Sequence, residues 1–264
     1  MTEAGLIRAG WDVPPFVHAG YTLRQGGVSA GCYGSLNLAL HVGDDRDLVL
    51  ENRSIAVRKF ALPADPVYVT QVHGTDVLWG EDAGQGAPEG DALVTCKRGL
   101  PLAIMTADCL PVLFFDPASG TIAAAHAGWR GLAAGVLEKT VAAMASDPGE
   151  IRAWLGPRIG RSAFEVGDEV RSAFISADSG AADAFRPSRP GHFLCSLAVL
   201  AVRRLSGAGL RQENISDCGL CTYSDPSRFF SSRRDGRTGR GAALIWLDPC
   251  MNDLWHDECL QEGS

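Results

Sequence analysis

The stretch "DALVTCKRGLPLAIMTADCLPVLFFDPASGTIAAAHAGW", residues 91–129, constrains the fold most. It holds three short apolar runs separated by turn signals at Gly99, Pro101, Pro117 and Gly120. Runs of this length, nearly continuous rather than alternating and rich in Val, Ile, Leu and Phe, read as strands buried on both faces. Such strands need layers above and below them, and three segments offer helices. "DDRDLVLENRSIAVRKFAL" starts on Asp residues suited to capping, spaces Leu48, Val49, Ile55, Ala56 and Phe60 in a roughly helical pattern, and stops at Pro63. "LAAGVLEKTVAAMASDPGE" carries an apolar face through Leu132, Val136 and Val141, and "FLCSLAVLAVRRLSGAGL" is a strongly apolar helix. The opening third, by contrast, reads as strands and Gly-rich turns, "PVYVTQVHGTDVLWG" as a strand pair or bent strand, and "SADSGAADAFRPSRPG" as a polar loop.

Bulk properties exclude several classes. At 264 residues the chain makes one large domain or two small ones, and 46% hydrophobic content supplies a core. A formal net charge of −7 argues against wrapping a nucleic-acid backbone. The N-terminus lacks a signal-like apolar core and no run approaches a membrane span, which predicts a cytoplasmic protein with no membrane partner. The eight cysteines then read as reduced thiols. Cys218 and Cys221 have the spacing of a redox or zinc half-site, but no second pair completes it.

His73 in "TQVHGTDV", Cys109 in "MTADCLPV" and His126 in "IAAAHAGWRGL" each close or interrupt a β-like run and precede small or turn-forming residues. That placement puts them at a sheet rim. Two imidazoles and a thiolate are ligand types of tetrahedral zinc, and three ligands leave a fourth position open. The separations of 36 and 17 residues match no short-range ligand motif, so spacing leaves alternatives standing. One is a buried Cys and hydrogen-bonded His residues; another is Cys109 as nucleophile with His126 as its base. The glycines Gly128 and Gly131 ahead of a helix, with Arg130 beside them, suggest an anion pocket. Arg233, Arg234, Arg237 and Arg240 fall within eight residues, a candidate clamp for substrate phosphate anchored by Phe229 and Phe230. Asn52 and Arg53, as an isolated pair on a helix, read as solvent-exposed. Cys250, His256 and Cys259 near the end of the chain form an incomplete set for a second metal.

The segments "GGVSAGCYGSLNLALHVGDD", "ENR", "QVHGTDV", "DALVT", "TADCLPVLFFD", "AAHAGWRGL", "LGPRIG", "FEVGDEV", "CTYSDPSRFFSSRRDGRTGR" and "LIWL", in this order from about Phe16 to Leu247, resemble the laccase-domain or "polyphenol oxidase" family, also called purine nucleoside phosphorylase-like and peptidoglycan editing factor. The resemblance implies a single α/β domain over residues 1–247, with mixed β-sheets packed and flanked by helices, similar to the cytotoxic necrotizing factor deamidase fold. Residues 248–264 fall outside it as a tail.

It also implies a catalytic zinc on His73, Cys109 and His126, with copper as the other candidate metal. The small-molecule substrates it implies are purine nucleosides with phosphate, for phosphorolysis of adenosine, inosine and methylthioadenosine or adenosine deamination. A UDP-linked peptidoglycan precursor carrying a misincorporated serine is the alternative. Within that frame Arg53, Arg130 and Arg233 are expected to hold phosphate, Asn37 to contact substrate, and Asp108 to orient a ligand or shuttle protons. Copper oxidases of the laccase type use several His-rich centres, whereas this chain has six histidines in all. Two departures bear on substrate preference: Cys195 stands near an expected Asp, and Ser232 where an aromatic is common.

Overall fold

In the computed structural model, which describes residues 2–3, 5–83 and 86–249, two large sheets lie face to face. One is antiparallel, in the order β1 (Thr2–Glu3), β2 (Leu6–Arg8), β3 (Val17–Thr22), β14 (Gly241–Leu247), β6 (Leu102–Thr106). The other is mixed, in the order β13 (Ile215–Asp217), β9 (Arg152–Leu155), β7 (Leu110–Phe115), β8 (Ile122–Ala127), β5 (Ala92–Thr95), β4 (Val77–Trp79), with parallel pairs at both edges. A small antiparallel sheet of β10 (Glu165–Gly167), β12 (His192–Cys195) and β11 (Phe185–Pro187) sits beside them.

Period-two alternation sorts the buried residues into layers. Leu113 and Phe115 of β7, with Ala124 of β8 and Trp154 of β9, face Tyr21, Ile104 and Ile245 of the antiparallel sheet. Their neighbours Val112 and Phe114 face away, onto α3 (Val136–Ala143), α4 (Asp168–Ile175) and α5 (Leu197–Gly207) through Leu137, Phe174 and Leu200. On the far side of the antiparallel sheet, Met105, Leu244 and Trp246 pack with Leu36, Leu38 and Ala56 of α1 (Arg46–Lys59). The molecule is therefore layered α/β/β/α, and every residue of β7 and β8 is buried as the unbroken apolar runs require.

Several elements differ from the sequence reading. The run "PLAIMTADCLPVLFF" is two strands in different sheets, because Asp108 adopts φ 97° and turns the chain from β6 across to β7. The helix expected after His126 is broken at Gly135, φ 97°, into α2 (Trp129–Ala134) and α3. The polar loop after α4 contains β11, and "FLC" pairs as β12 before α5 begins at its Ser196 cap. Of the expected strand pair around His73 only β4 forms; the chain before it makes isolated bridges from Val67 and Thr70.

Asn52 departs furthest from expectation, being fully buried. Its Nδ2 donates to Ser29 Oγ (2.8 Å) and the Asn37 carbonyl (3.0 Å), and its Oδ1 accepts from the Val28 N–H (2.8 Å). The "GGVSAG" loop is thus tied to α1 by one amide. Asn52→Ala strands these groups without water, and a loss of about 2–3 kcal/mol is expected, read as a lower urea midpoint at unchanged slope.

Candidate metal centre

The donor atoms of His73, Cys109 and His126 lie within 4.8 Å of one another. Each arrives by a different route. His126 comes from the end of β8, buried at 3% exposure; Cys109 follows the Asp108 crossover; His73 sits in an irregular loop at φ 61°. Non-glycine residues at positive φ cost about 1–3 kcal/mol and persist where the surroundings hold them. Two of them, His73 and Asp108, flank this centre.

What holds the loop is Asp91, the first residue of "DALVT" and fully buried. Its carboxylate accepts N–H bonds from Val72 (3.2 Å), His73 (2.9 Å) and Gly74 (2.6 Å), and a fourth bond from His126 Nδ1 (2.8 Å). Its carbonyl accepts the His126 backbone N–H at 2.7 Å. Burial alone would raise the Asp91 carboxyl, but His126 and the loop N–H groups outweigh it and hold it below the usual carboxylate range. With Nδ1 committed to Asp91, Nε2 is the free donor of His126, which is the arrangement metal-bound histidines use.

Electrostatics tighten the trio. Burial pushes the Cys109 thiol up, yet the His126 charge and hydrogen bonds from both imidazoles outweigh it, lowering the thiol to about 6. Burial pushes His126 down, and the Cys109 thiolate with Asp91 raises it to about 9. Both shifts favour a thiolate and imidazolium pair near neutral pH, from which a metal entering here would displace the His126 proton. Cys109 Sγ stands 3.8 Å from His73 Nε2. Bonds of about 2.0–2.3 Å in a tetrahedron would put neighbouring donors roughly 3.5 Å apart, so donors lying within 4.8 Å of one another fit such an ion once the wider pairs draw in. Gly128 is required by the same closeness, since a Cβ there would meet His73 Cδ2 at 2.8 Å and Cys109 Sγ at 3.1 Å. Gly128, the N-cap of the six-residue α2, therefore serves contact with the donor residues, and Gly131, inside α2, lets the helix close on the Gly74 carbonyl.

A cavity of about 530 Å³ opens on the trio. Arg130, Arg233 and Arg240 line it, with His41, Trp129 and Phe164. Of the expected site residues, Asp108 is in the wall, but its carboxylate is already taken by Thr222 Oγ1 (2.6 Å), Ser231 Oγ (3.0 Å) and the Arg233 N–H (2.7 Å). It therefore fixes α6 (Ser232–Asp235), which carries Arg233. Asn37 and Arg53 stand outside the cavity lining. Asn37 is fully buried, accepting from the Ala39 and Arg240 N–H groups and donating to Asp44, while Arg53 lies 3.7 Å over the Tyr68 ring and donates to the Leu38 carbonyl. Of the Arg-rich segment, Arg234 and Arg237 are spent on loop carbonyls and Tyr33. Asp91 and His41 escaped the sequence reading altogether. An Asp opening an apolar strand was the one available sign of the first. Cys250, His256 and Cys259 lie outside the described residues, and among those described the trio is the one such cluster.

Comparison with known proteins finds similarity over most of the chain. Residues 18–248 match a family profile described as multi-copper polyphenol oxidoreductase laccase. A purine nucleoside phosphorylase of Haemophilus influenzae is 44% identical over 244 residues, 92% of this chain and 99% of that one. The purine nucleoside phosphorylase YfiH of Escherichia coli is 48% identical over 242 residues, 92% and 98% of the two. Among solved structures, a Neisseria meningitidis protein superposes with a TM-score of 0.88 at 46% identity, covering 92% of this chain and 99% of its own. A hypothetical protein YfiH of Bacillus licheniformis gives 0.87 at 31%, covering 93% and 97%.

Asp91→Asn keeps the size but weakens the hold on His126 and the His73 loop, and metal affinity measured against a chelator is expected to fall about 10- to 100-fold. In metal-stripped protein, alkylation of Cys109 followed by peptide mass spectrometry should titrate near pH 6. His126→Gln removes the cation that favours the thiolate, so that midpoint should move upward.

Proposed function

The chain belongs to the laccase-domain family, whose relatives include enzymes named purine nucleoside phosphorylase, and from that premise we propose that it is a zinc-dependent enzyme acting on purine nucleosides. The observation that carries the reading is the convergence of His73, Cys109 and His126 on one arginine-lined cavity. We favour zinc over the copper of the family description because the described residues supply one His, Cys, His donor set, a ligand combination zinc takes, where laccase-type oxidation uses several His-rich centres. When bound, zinc supplies Lewis-acid polarisation and an acidified water.

The chain's own residues do the rest. Asp91 keeps His126 in the tautomer that presents Nε2 and holds the His73 loop in register. Arg130 and Arg233 hold a phosphate in attacking position, so that positioning supplies much of the rate. Trp129 and Phe164 offer apolar faces to the purine, each with an arginine stacked on it, at 4.5 and 5.3 Å. A cavity of about 530 Å³ is in the range of small-molecule sites.

A second reading rests on a different feature. Asp91, His126 and Cys109 also form a row of orienter, base and nucleophile, the layout of a metal-free Cys–His hydrolase. That reading agrees with the expected likeness to deamidase folds and with amide hydrolysis, including removal of a misplaced serine from a peptidoglycan precursor.

His73 separates the two. The zinc reading expects about one metal per chain, lost in His73→Ala together with about 100-fold or more of the activity; a metal-poor wild type and a fully active His73→Ala would establish the hydrolase. Turnover of adenosine, inosine and methylthioadenosine is expected to require phosphate, whereas phosphate-independent release of product would mark hydrolysis or deamination.

A further inference from the structure

Phosphorolysis needs a proton moved, and the cavity wall narrows the candidates. Its titratable lining consists of His41, His73, Asp108, Cys109, His126, Arg130, Arg233 and Arg240. His73, Cys109 and His126 are the metal donors. Asp108 has three hydrogen bonds on its carboxylate and is held as an acceptor. Guanidinium groups do not give up protons in this pH range. His41 is left.

The structure presents His41 in a fixed position with a free ring. The loop "LHVGDD" is anchored at the three residues that follow His41: the Val42 carbonyl accepts from the Tyr33 hydroxyl at 2.8 Å, the Gly43 carbonyl from Arg237 at 2.7 Å, and Asp44 accepts from Asn37 at 2.9 Å. The His41 ring itself makes no hydrogen bond or ion pair among the described residues, and the residue keeps part of its surface in solvent while lining the cavity. A chain segment tied down at three successive residues holds an uncommitted imidazole at the cavity, which is how acid–base groups are prepared.

We propose that His41 is the proton carrier of this site, taking a proton from hydrogenphosphate as its oxygen attacks and delivering a proton to the departing purine. This rests on the phosphorolytic reading. As the phosphate oxygen bonds to the anomeric carbon of the ribose, the bond from that carbon to the purine nitrogen breaks and its electron pair leaves with the base. Hydrogenphosphate gives up its proton to neutral His41, and the imidazole passes one to a purine ring nitrogen. Neutral purine and ribose 1-phosphate result, and His41 returns to its starting state. The resting imidazole must be neutral for this, and partial burial, then the charges of Arg240 before β14 and Arg53 on α1, with that of His126 in the metal-free protein, all lower its pKa.

His41→Gln tests it in zinc-loaded protein, with metal content measured alongside. With inosine and inorganic phosphate, kcat is expected to fall about 100- to 1,000-fold while KM for inosine changes less than about 3-fold. With 4-nitrophenyl β-D-ribofuranoside, whose leaving group needs no proton, the loss is expected to stay under about 10-fold. The acidic limb of the wild-type kcat profile should vanish in the variant, and added imidazole should restore part of the inosine rate. A rate for inosine within about 3-fold of wild type, or an equal loss on both substrates with full metal content, overturns the proposal. A readout without turnover separates its failure from that of the phosphorolytic reading: the His41 ring resonances, assigned by their loss in His41→Gln, are expected to shift on adding hypoxanthine. Absence of that shift refutes the role of His41 even if phosphorolysis is found. A shift in a protein that proves only hydrolytic would refute the phosphorolytic reading, and the proton carrier would then stand or fall on whether His41→Gln slows that hydrolysis.

Discussion

The Asp91 carboxylate takes four hydrogen bonds in a place with no water to replace any of them. Three come from successive backbone N–H groups of one loop and the fourth from an imidazole on a neighbouring strand. That single group therefore joins a strained irregular segment to the regular sheet and sets both histidines at once. Buried charge is costly unless it is fully bonded, and here the bonding is complete, which turns a liability into a fixed reference point. The positive φ at His73 persists because three consecutive amides are aimed at one carboxylate.

The layered core serves this arrangement. A chain that passes from one sheet to the other at Asp108 leaves Cys109 at the junction, and the same Asp108 side chain reaches forward to Thr222 and Ser231. The Arg233 segment is fastened to the crossover, so Arg233 and the sulfur are positioned through the same residue. Phe229 and Phe230, both almost fully buried, anchor that segment from below.

Much of this was legible in the residues. Apolar runs declared β5 to β8 and their double burial, an Asp-capped amphipathic stretch declared α1, and ligand chemistry together with family resemblance pointed to His73, Cys109 and His126. What escaped depends on contacts between distant segments. Nothing local separates Asn52, buried under a glycine-rich loop, from an exposed helical Asn, and nothing local distinguishes Arg53, stacked on Tyr68, from an arginine free to bind phosphate. Propensity also cannot report that a continuous run such as "PLAIMTADCLPVLFF" changes sheets midway, because the turn is enforced by a side-chain network assembled from residues more than a hundred positions away. Asp91 was missed for the same reason: its four donors come from 17 to 35 residues along the chain.

The strand β14 lies between β3 and β6, pairing Leu247 with Val17 and Gly241 with Thr106. During vectorial synthesis β3 and the edge strand β6 therefore emerge with an empty slot between them. The antiparallel layer closes only after residue 247 has left the ribosome exit tunnel. Pairings this distant in sequence are slow to form, and the exposed edges of β3 and β6 invite nonspecific association while they wait. The nascent polypeptide thus passes through an open-sheet interval set by topology, and Arg233 and Arg240 arrive only just ahead of the strand that ends it.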